Sequence, residues 1–272
     1  MPRSVLEHVN RPLVASGAAP HHDAARCCGA IVVVTGLAFE ARIAGGATIV
    51  GEDLRHGTRL SSALARGTRG VISFGIGGGL ADDLAPGQWI VAASVVSGTE
   101  RHRTDEGWSQ SILRALPGAR HATVAGVDRP VADPEAKRTL HRRTGAIIVD
   151  TESHVVGRLA AAYDVPFVVC RAVVDPVHRG LPPAALLDLL PGGSPNVLAI
   201  LRSLAAQPGQ LPMLARLAVD AAVARAALRR ARTRLGADLG FPYFSDRSAE
   251  LVDPDAAEVD GAAFRRAEIT PA

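Results

Sequence analysis

Five stretches of the chain are short and almost without polar residues: AIVVVTG (30–36), GVISFG (70–75), QWIVAASVVS (88–97), GAIIVD (145–150) and VPFVVCRAVVD (165–175). A strand with one wet face alternates apolar and polar residues. These runs do not alternate, so as strands they need cover on both faces. The stretches between and after them carry helical spacing, near 57–67, 133–143, 152–163, 182–206 and 211–235. DPEAKRTLHRR (133–143) opens with Asp133 as a cap, Pro134 in the first turn and Glu135 near the positive helix end. Buried strands alternating with helices predict an α/β chain of three layers around a central mixed, largely parallel sheet.

With 272 residues, 47% of them hydrophobic, the chain can bury one large core. The expected division is a loose extension over 1–29, a single domain over 30–235 and a polar tail over 236–272. Net charge is only +3 and aromatic residues make up 4%. A nucleic-acid partner calls for a concentrated basic face with aromatic stacking, so none is expected. Cys27, Cys28 and Cys170 provide neither a disulfide framework nor a zinc pair, and a reducing cytoplasm is the expected compartment. His102, His121, His141, His154 and His178 are scattered without ligand spacing, so no metal is expected.

FGIGGGLADDLAPGQWIVA (74–92) carries a glycine cluster. It is not a dinucleotide fingerprint, because Leu80 stands where a third small residue would let a helix pack closely. No phosphate-loop lysine follows it, since Lys137, the sole lysine, is distant in sequence. No cofactor is expected. Two readings of the glycines stay open: a tight turn between strands, or a backbone that passes close to a sugar or anion.

Three segments then act together: TGLAFEARIA (35–44), FGIGGGLADDLAPGQWIVA (74–92) and VDTESHVVGRLAAAYDVPFVVCRAVVD (149–175). In this order they resemble the purine nucleoside phosphorylase/methylthioadenosine nucleosidase superfamily, over about residues 30–205. Within it, TGLAFEARIA, VDRPVADPEAKRTL and QLPMLARLAVDAAVARAALRR are most similar to the hopanoid-associated phosphorylases, which are implied to remove adenine from adenosylhopane. The resemblance implies a nucleoside-phosphorylase-like fold and cleavage of a purine N-glycosidic bond through an oxocarbenium-like sugar.

Roles follow from that resemblance. It makes Asp175 the general acid toward the purine N7, with a pKa raised by burial. It makes Glu152 the carboxylate that grips the ribose hydroxyls, with Thr151 beside it where relatives carry methionine. Glu40 would direct the attacking water. Gly77 and Gly78, with Gly79, would let the backbone approach ribose and nucleophile. Val127, Asp128 and Arg129 would line the purine pocket by position, although Asp128 and Arg129 equally suit a surface pair. Phosphate-using relatives place an arginine before the glycine loop and a hydroxyl within it. Ser73 and Ile76 stand there in this chain, which favours water over phosphate. Phosphate as co-substrate stays open through Arg42, Arg129 or Arg171. Val174 also departs from the family, where a serine precedes the acid.

Alternatives accompany this reading. A soluble 5′-modified adenosine, such as methylthioadenosine or S-adenosylhomocysteine, would undergo the same chemistry. A non-catalytic nucleoside-binding protein on the same fold is an alternative of another class. The resemblance implies a homo-oligomer. The helix at 211–235 is either a cover on the sheet or a basic amphipathic surface for contact with the inner face of a membrane, suited to a lipid-linked substrate.

Overall fold

A computed structural model describes residues 29–51, 57–187 and 193–242. In chain order the elements are β1 (Ile31–Thr35), α1 (Ala38–Ala44), β2 (Thr48–Val50), α2 (Thr58–Ala65), β3 (Gly70–Gly79), β4 (Trp89–Ser97), β5 (Glu100–Arg103), α3 (Glu106–Ala115), β6 (Arg120–Gly126), α4 (Pro134–Thr144), β7 (Ile148–Asp150), α5 (Ser153–Ala162), β8 (Phe167–Asp175), α6 (Val197–Ala206) and α7 (Leu211–Leu235). Asp133 caps α4 as the sequence suggests, its carboxylate accepting from the Ala136 amide at 2.8 Å.

The strands form one mixed sheet in the order β2-β1-β3-β7-β6-β4-β5, with β8 pairing both β3 and β4. Five of the pairings are parallel, and β3–β7, β4–β5 and β4–β8 are antiparallel. Because β3, β8, β4, β6 and β7 each pair with the next and β7 returns to β3, these five strands close into a ring. Closure removes the sheet edges there and draws the ends of β3, β7 and β8 together.

The apolar runs are covered on both faces. Val32 and Val34 of β1, Val71 of β3 and Val169 and Val173 of β8 pack with Leu60 and Leu64 of α2 and Val156 and Ala160 of α5. Their neighbours Val33, Ile72, Phe74, Val168 and Ala172 turn the other way, against Trp108 and Ile112 of α3 and Ala224, Ala227 and Leu228 of α7. Chain distant in sequence closes this second layer. Trp108 Nε1 donates to the Leu239 carbonyl at 3.0 Å, and its ring meets Phe241 edge-on at 4.8 Å. Residues 236–242 thus pack on the core.

The extension over 1–28 and the tail from 243 lie outside the described residues. The continuous helix expected over 182–206 is broken. A 3-10 turn at Pro183–Leu186 is followed, beyond residues 188–192 outside the description, by α6, which Asn196 caps through the Ala199 amide at 3.0 Å. Gly193 and Pro195 explain why α6 starts no earlier: Gly193 takes φ +77°, and proline lacks an amide donor. Among the described residues no helix is long and apolar enough to cross a membrane.

Candidate active site

The site is built around β3, whose strand does not stop at Gly75 but runs to Gly79. The glycine cluster is therefore neither a turn nor a loop. None of Gly75, Gly77, Gly78 and Gly79 has positive φ, so the lack of side chains reflects space. A methyl group at Gly75 would stand 2.5 Å from Glu40 Oε1 and 2.9 Å from Arg171 Nη1. One at Gly77 would stand 2.9 Å from the Val149 carbonyl of β7, so Gly77 serves the close crossing of two strands. At Gly78 the nearest atom is Asp175 Oδ1, 3.3 Å away.

Glu40 lies in the first turn of α1, which follows β1 directly. It is 2% exposed, and its carboxylate accepts three backbone amides: Gly36 at 2.9 Å, Leu37 at 2.8 Å and Ile76 at 2.7 Å. Burial pushes its pKa from 4.5 up to about 7, against the opposing pull of the Arg171 guanidinium and with added repulsion from Glu152. The Ile76 side chain packs with the α3–α7 layer. Its position contributes an amide to the site where a hydroxyl would be sought in the sequence.

Arg171 is the hub. It sits fully buried in the middle of β8, opposite Gly75 of β3. Its Nε donates to Asp150 Oδ2 at 2.5 Å, and its Nη2 donates to Ser73 Oγ at 2.6 Å and Glu152 Oε2 at 3.3 Å. Its Nη1 has no hydrogen-bond partner among the described residues. Glu152 immediately precedes α5; burial raises its pKa, against Arg171 and with the Asp150 charge adding to the rise. The Thr151 hydroxyl donates to Glu152 Oε1. Asp150 in turn accepts from the Ser153 amide at 3.0 Å and from the Ser153 hydroxyl. Three carboxylates thus surround one guanidinium, and the neighbouring negative charge adds to the rise at Glu40 and Glu152.

Asp175 closes β8 and is 4% exposed. The β3–β8 register shifts between Gly77 and Gly78, skipping Val174, which sets Asp175 opposite Gly78. Its pKa is raised, chiefly by burial, with Lys137 pulling the other way. Gly75, beside Glu40 and Arg171, and Gly78, beside Asp175, are three residues apart on one strand, a spacing of about 10 Å. That is the reach from one end of a nucleoside to the other. A raised carboxyl that can give a proton stands at one end, and a carboxylate near neutrality that can take one stands at the other.

The structure brings together Glu40, Thr151, Glu152 and Arg171, with Gly78 farther along β3 and Asp175 of β8 opposite it. It does not bring Arg42 or Arg129 to them. Arg42 turns out of α1, its Nε donating to the Ala38 carbonyl at 3.3 Å, and lines a crevice of about 480 Å³ with Phe39, Arg225, Arg229 and Arg232. The 3.6-residue helical period explains this: α1 buries Glu40, so a residue two positions on faces away. Arg129 is exposed, and so is Asp128, which pairs with His154 Nε2 at 3.2 Å and not with Arg129. Sequence reasoning missed Asp150, Ser153 and Lys137. The available signs were a lone charge inside the apolar run VPFVVCRAVVD, which demands a buried counter-charge nearby, and a single lysine in an arginine-rich chain. Among the described residues no group of side chains could hold a metal ion.

Comparison with known proteins bears on the fold and the family. No curated protein sequence is significantly similar to the chain. Among solved structures, futalosine hydrolase of Helicobacter pylori superposes with a TM-score of 0.53 at 15% identity, covering 82% of this chain and 98% of that one. The 5′-methylthioadenosine/S-adenosylhomocysteine nucleosidase of Helicobacter pylori, bound to butyl-thio-DADMe-Immucillin-A, superposes with a TM-score of 0.52 at 14% identity, covering 76% and 96%. At such identities the likeness is one of fold. The family profile described as the phosphorylase superfamily matches residues 31–204, a span that runs from β1 into α6 and takes in every carboxylate of the site. The chain belongs to the phosphorylase superfamily.

Proposed function

We propose that the chain is a purine nucleosidase, which hydrolyses the N-glycosidic bond of a 5′-modified adenosine and releases adenine. The observation that carries this reading is the gathering of the buried carboxyls of Glu40 and Glu152 beside the buried Arg171, with Asp175 of β8 next to Gly78, three residues along β3 from Gly75. In this mechanism Asp175 passes its proton to N7 of the purine as the bond from the anomeric carbon to the base breaks. The bonding electrons leave with the base. Glu152 accepts from the ribose hydroxyls, and its charge offsets the positive character that grows on the sugar. Glu40, with a pKa of about 7, takes a proton from the attacking water as its oxygen bonds to the anomeric carbon. The unpartnered Arg171 Nη1 lies beside Glu40 and suits the same water.

Water is favoured over phosphate for an electrostatic reason. Glu40, Glu152 and Asp150 face a single guanidinium that is already engaged on two of its nitrogens. A phosphate would meet excess negative charge there, and Arg42 and Arg129 lie elsewhere. For the 5′ substituent the sequence likeness to hopanoid-associated phosphorylases favours adenosylhopane. The exposed Val197, Leu198 and Leu201 of α6 and Leu211, Met213 and Val219 of α7 support contact with a lipid-linked substrate or a membrane surface.

Free adenine released from 5′-methylthioadenosine and from adenosylhopane, with and without inorganic phosphate, tests the reading. Release in phosphate-free buffer, unchanged by added phosphate and faster with the hopanoid, is the expected result. Release that requires phosphate refutes hydrolysis. Binding of the nucleosides without any release makes the chain a binding protein.

A further inference from the structure

Lys137 is the sole lysine of the chain and is fully buried. It stands early in α4, and its Nζ pairs with the Asp175 carboxylate. The same Nζ donates to the Arg179 carbonyl at 3.0 Å and lies 3.3 Å from the carbonyls of Asp175 and Pro176. Four acceptors thus surround a group with three donors, and the ammonium has no access to water. Taking a charged lysine wholly out of water is expensive, and an apolar residue at the same place would avoid that cost. Carbonyl contacts alone would fasten α4 to the loop after β8 without needing the carboxylate. The arrangement therefore points to the charge itself, beside the group assigned as the acid.

We propose that Lys137 is a positioning residue that strengthens Asp175 as an acid, an inference that rests on the acid role given to Asp175 above. When Asp175 carries its proton it is neutral, and the ammonium gains little from it. As the O–H bond of Asp175 breaks and N7 of the purine takes the proton, a carboxylate forms against the Lys137 ammonium. The attraction is thus realised as the glycosidic bond breaks and not before, so it lowers the barrier instead of merely tightening binding. No further reactant is needed, since Asp175 regains its proton from solvent after adenine leaves.

The other charges facing Asp175 are few. Asp220 of α7 adds a repulsion, and its own carboxylate is paired with Arg179. From β3 the neighbour is the uncharged Gly78. Burial raises the Asp175 pKa and Lys137 opposes that rise. Removing the lysine leaves burial unopposed, so the carboxyl should become a weaker acid and titrate at higher pH.

The test is kcat/KM against pH for 5′-methylthioadenosine in the full-length protein, its Lys137→Met and Lys137→Gln variants, and Asp175→Asn. The glutamine variant keeps an N–H donor for the carbonyls and holds the fold should methionine not. In either lysine variant the plateau should fall by about 10- to 100-fold, and the alkaline limb, where Asp175 loses its proton, should move to higher pH. A uniform loss at every pH, with the limb unmoved, overturns the inference and leaves Lys137 as a structural tether. The two readings fail separately. An Asp175→Asn variant as active as the parent removes the acid role itself, whereas an inactive Asp175→Asn with unmoved limbs in both lysine variants removes only the role of Lys137.

Discussion

Replacing Gly75 by alanine should disable the site while leaving the sheet in place. The new methyl group would stand 2.5 Å from Glu40 Oε1, 2.8 Å from its carboxyl carbon and 2.9 Å from Arg171 Nη1. None of these neighbours can swing aside freely. Glu40 is held by three amides, and Arg171 is held by Asp150, Ser73 and Glu152. To reach ordinary van der Waals separation, Glu40 and the guanidinium must part by roughly 1 Å. A displacement of that size at reacting groups costs on the order of 100-fold in rate, and overpacking costs about 1–3 kcal/mol of stability. Thermal unfolding and adenine release, measured on the same preparation, read both effects. Gly107→Ala is the matched control. Its methyl group would meet only Asp105 Oδ1, at 3.6 Å, within helix α3, and should stabilise by up to about 1 kcal/mol. A Gly75→Ala variant whose kcat/KM stays within about threefold of the parent would refute the claim that this strand position spaces Glu40 from Arg171.

Two further outcomes follow from the same cluster. Glu40 binds its proton more tightly folded than unfolded, so its burial is without cost below about pH 4.5 and weighs fully above about pH 7, a loss of about 3 kcal/mol between them. Chemical denaturation at about pH 5 and pH 8 should show the parent losing that stability as pH rises and Glu40→Gln losing less of it; equal slopes would contradict the raised pKa. Glu152→Gln should lower kcat/KM by about 100-fold or more, because a neutral amide cannot offset the charge of the sugar in the transition state, and an effect confined to KM would argue against that role.

The sequence by itself determined the layered architecture. Runs such as AIVVVTG and VPFVVCRAVVD are apolar at every position, and only a strand covered on both sides can bury them. It also pointed to Glu40, Glu152 and Asp175, through the family resemblance of the three segments that carry them; each follows or ends an apolar run, where an α/β sheet delivers side chains to a common place. What it left undecided depended on pairing between distant segments. That β3 continues through Gly79 is settled by its neighbours β7 and β8, since a glycine run has no strand preference of its own. That Arg42 faces away follows from the rotation of α1 once Glu40 is buried. That the lone lysine of α4 meets the carboxylate at the end of β8, 38 residues on, is set by the path of the chain around the closed ring of strands. Local propensity writes the elements, but partners for buried charges are chosen only when those elements are packed, because a charge removed from water takes the nearest opposite charge in space, whatever its distance in sequence.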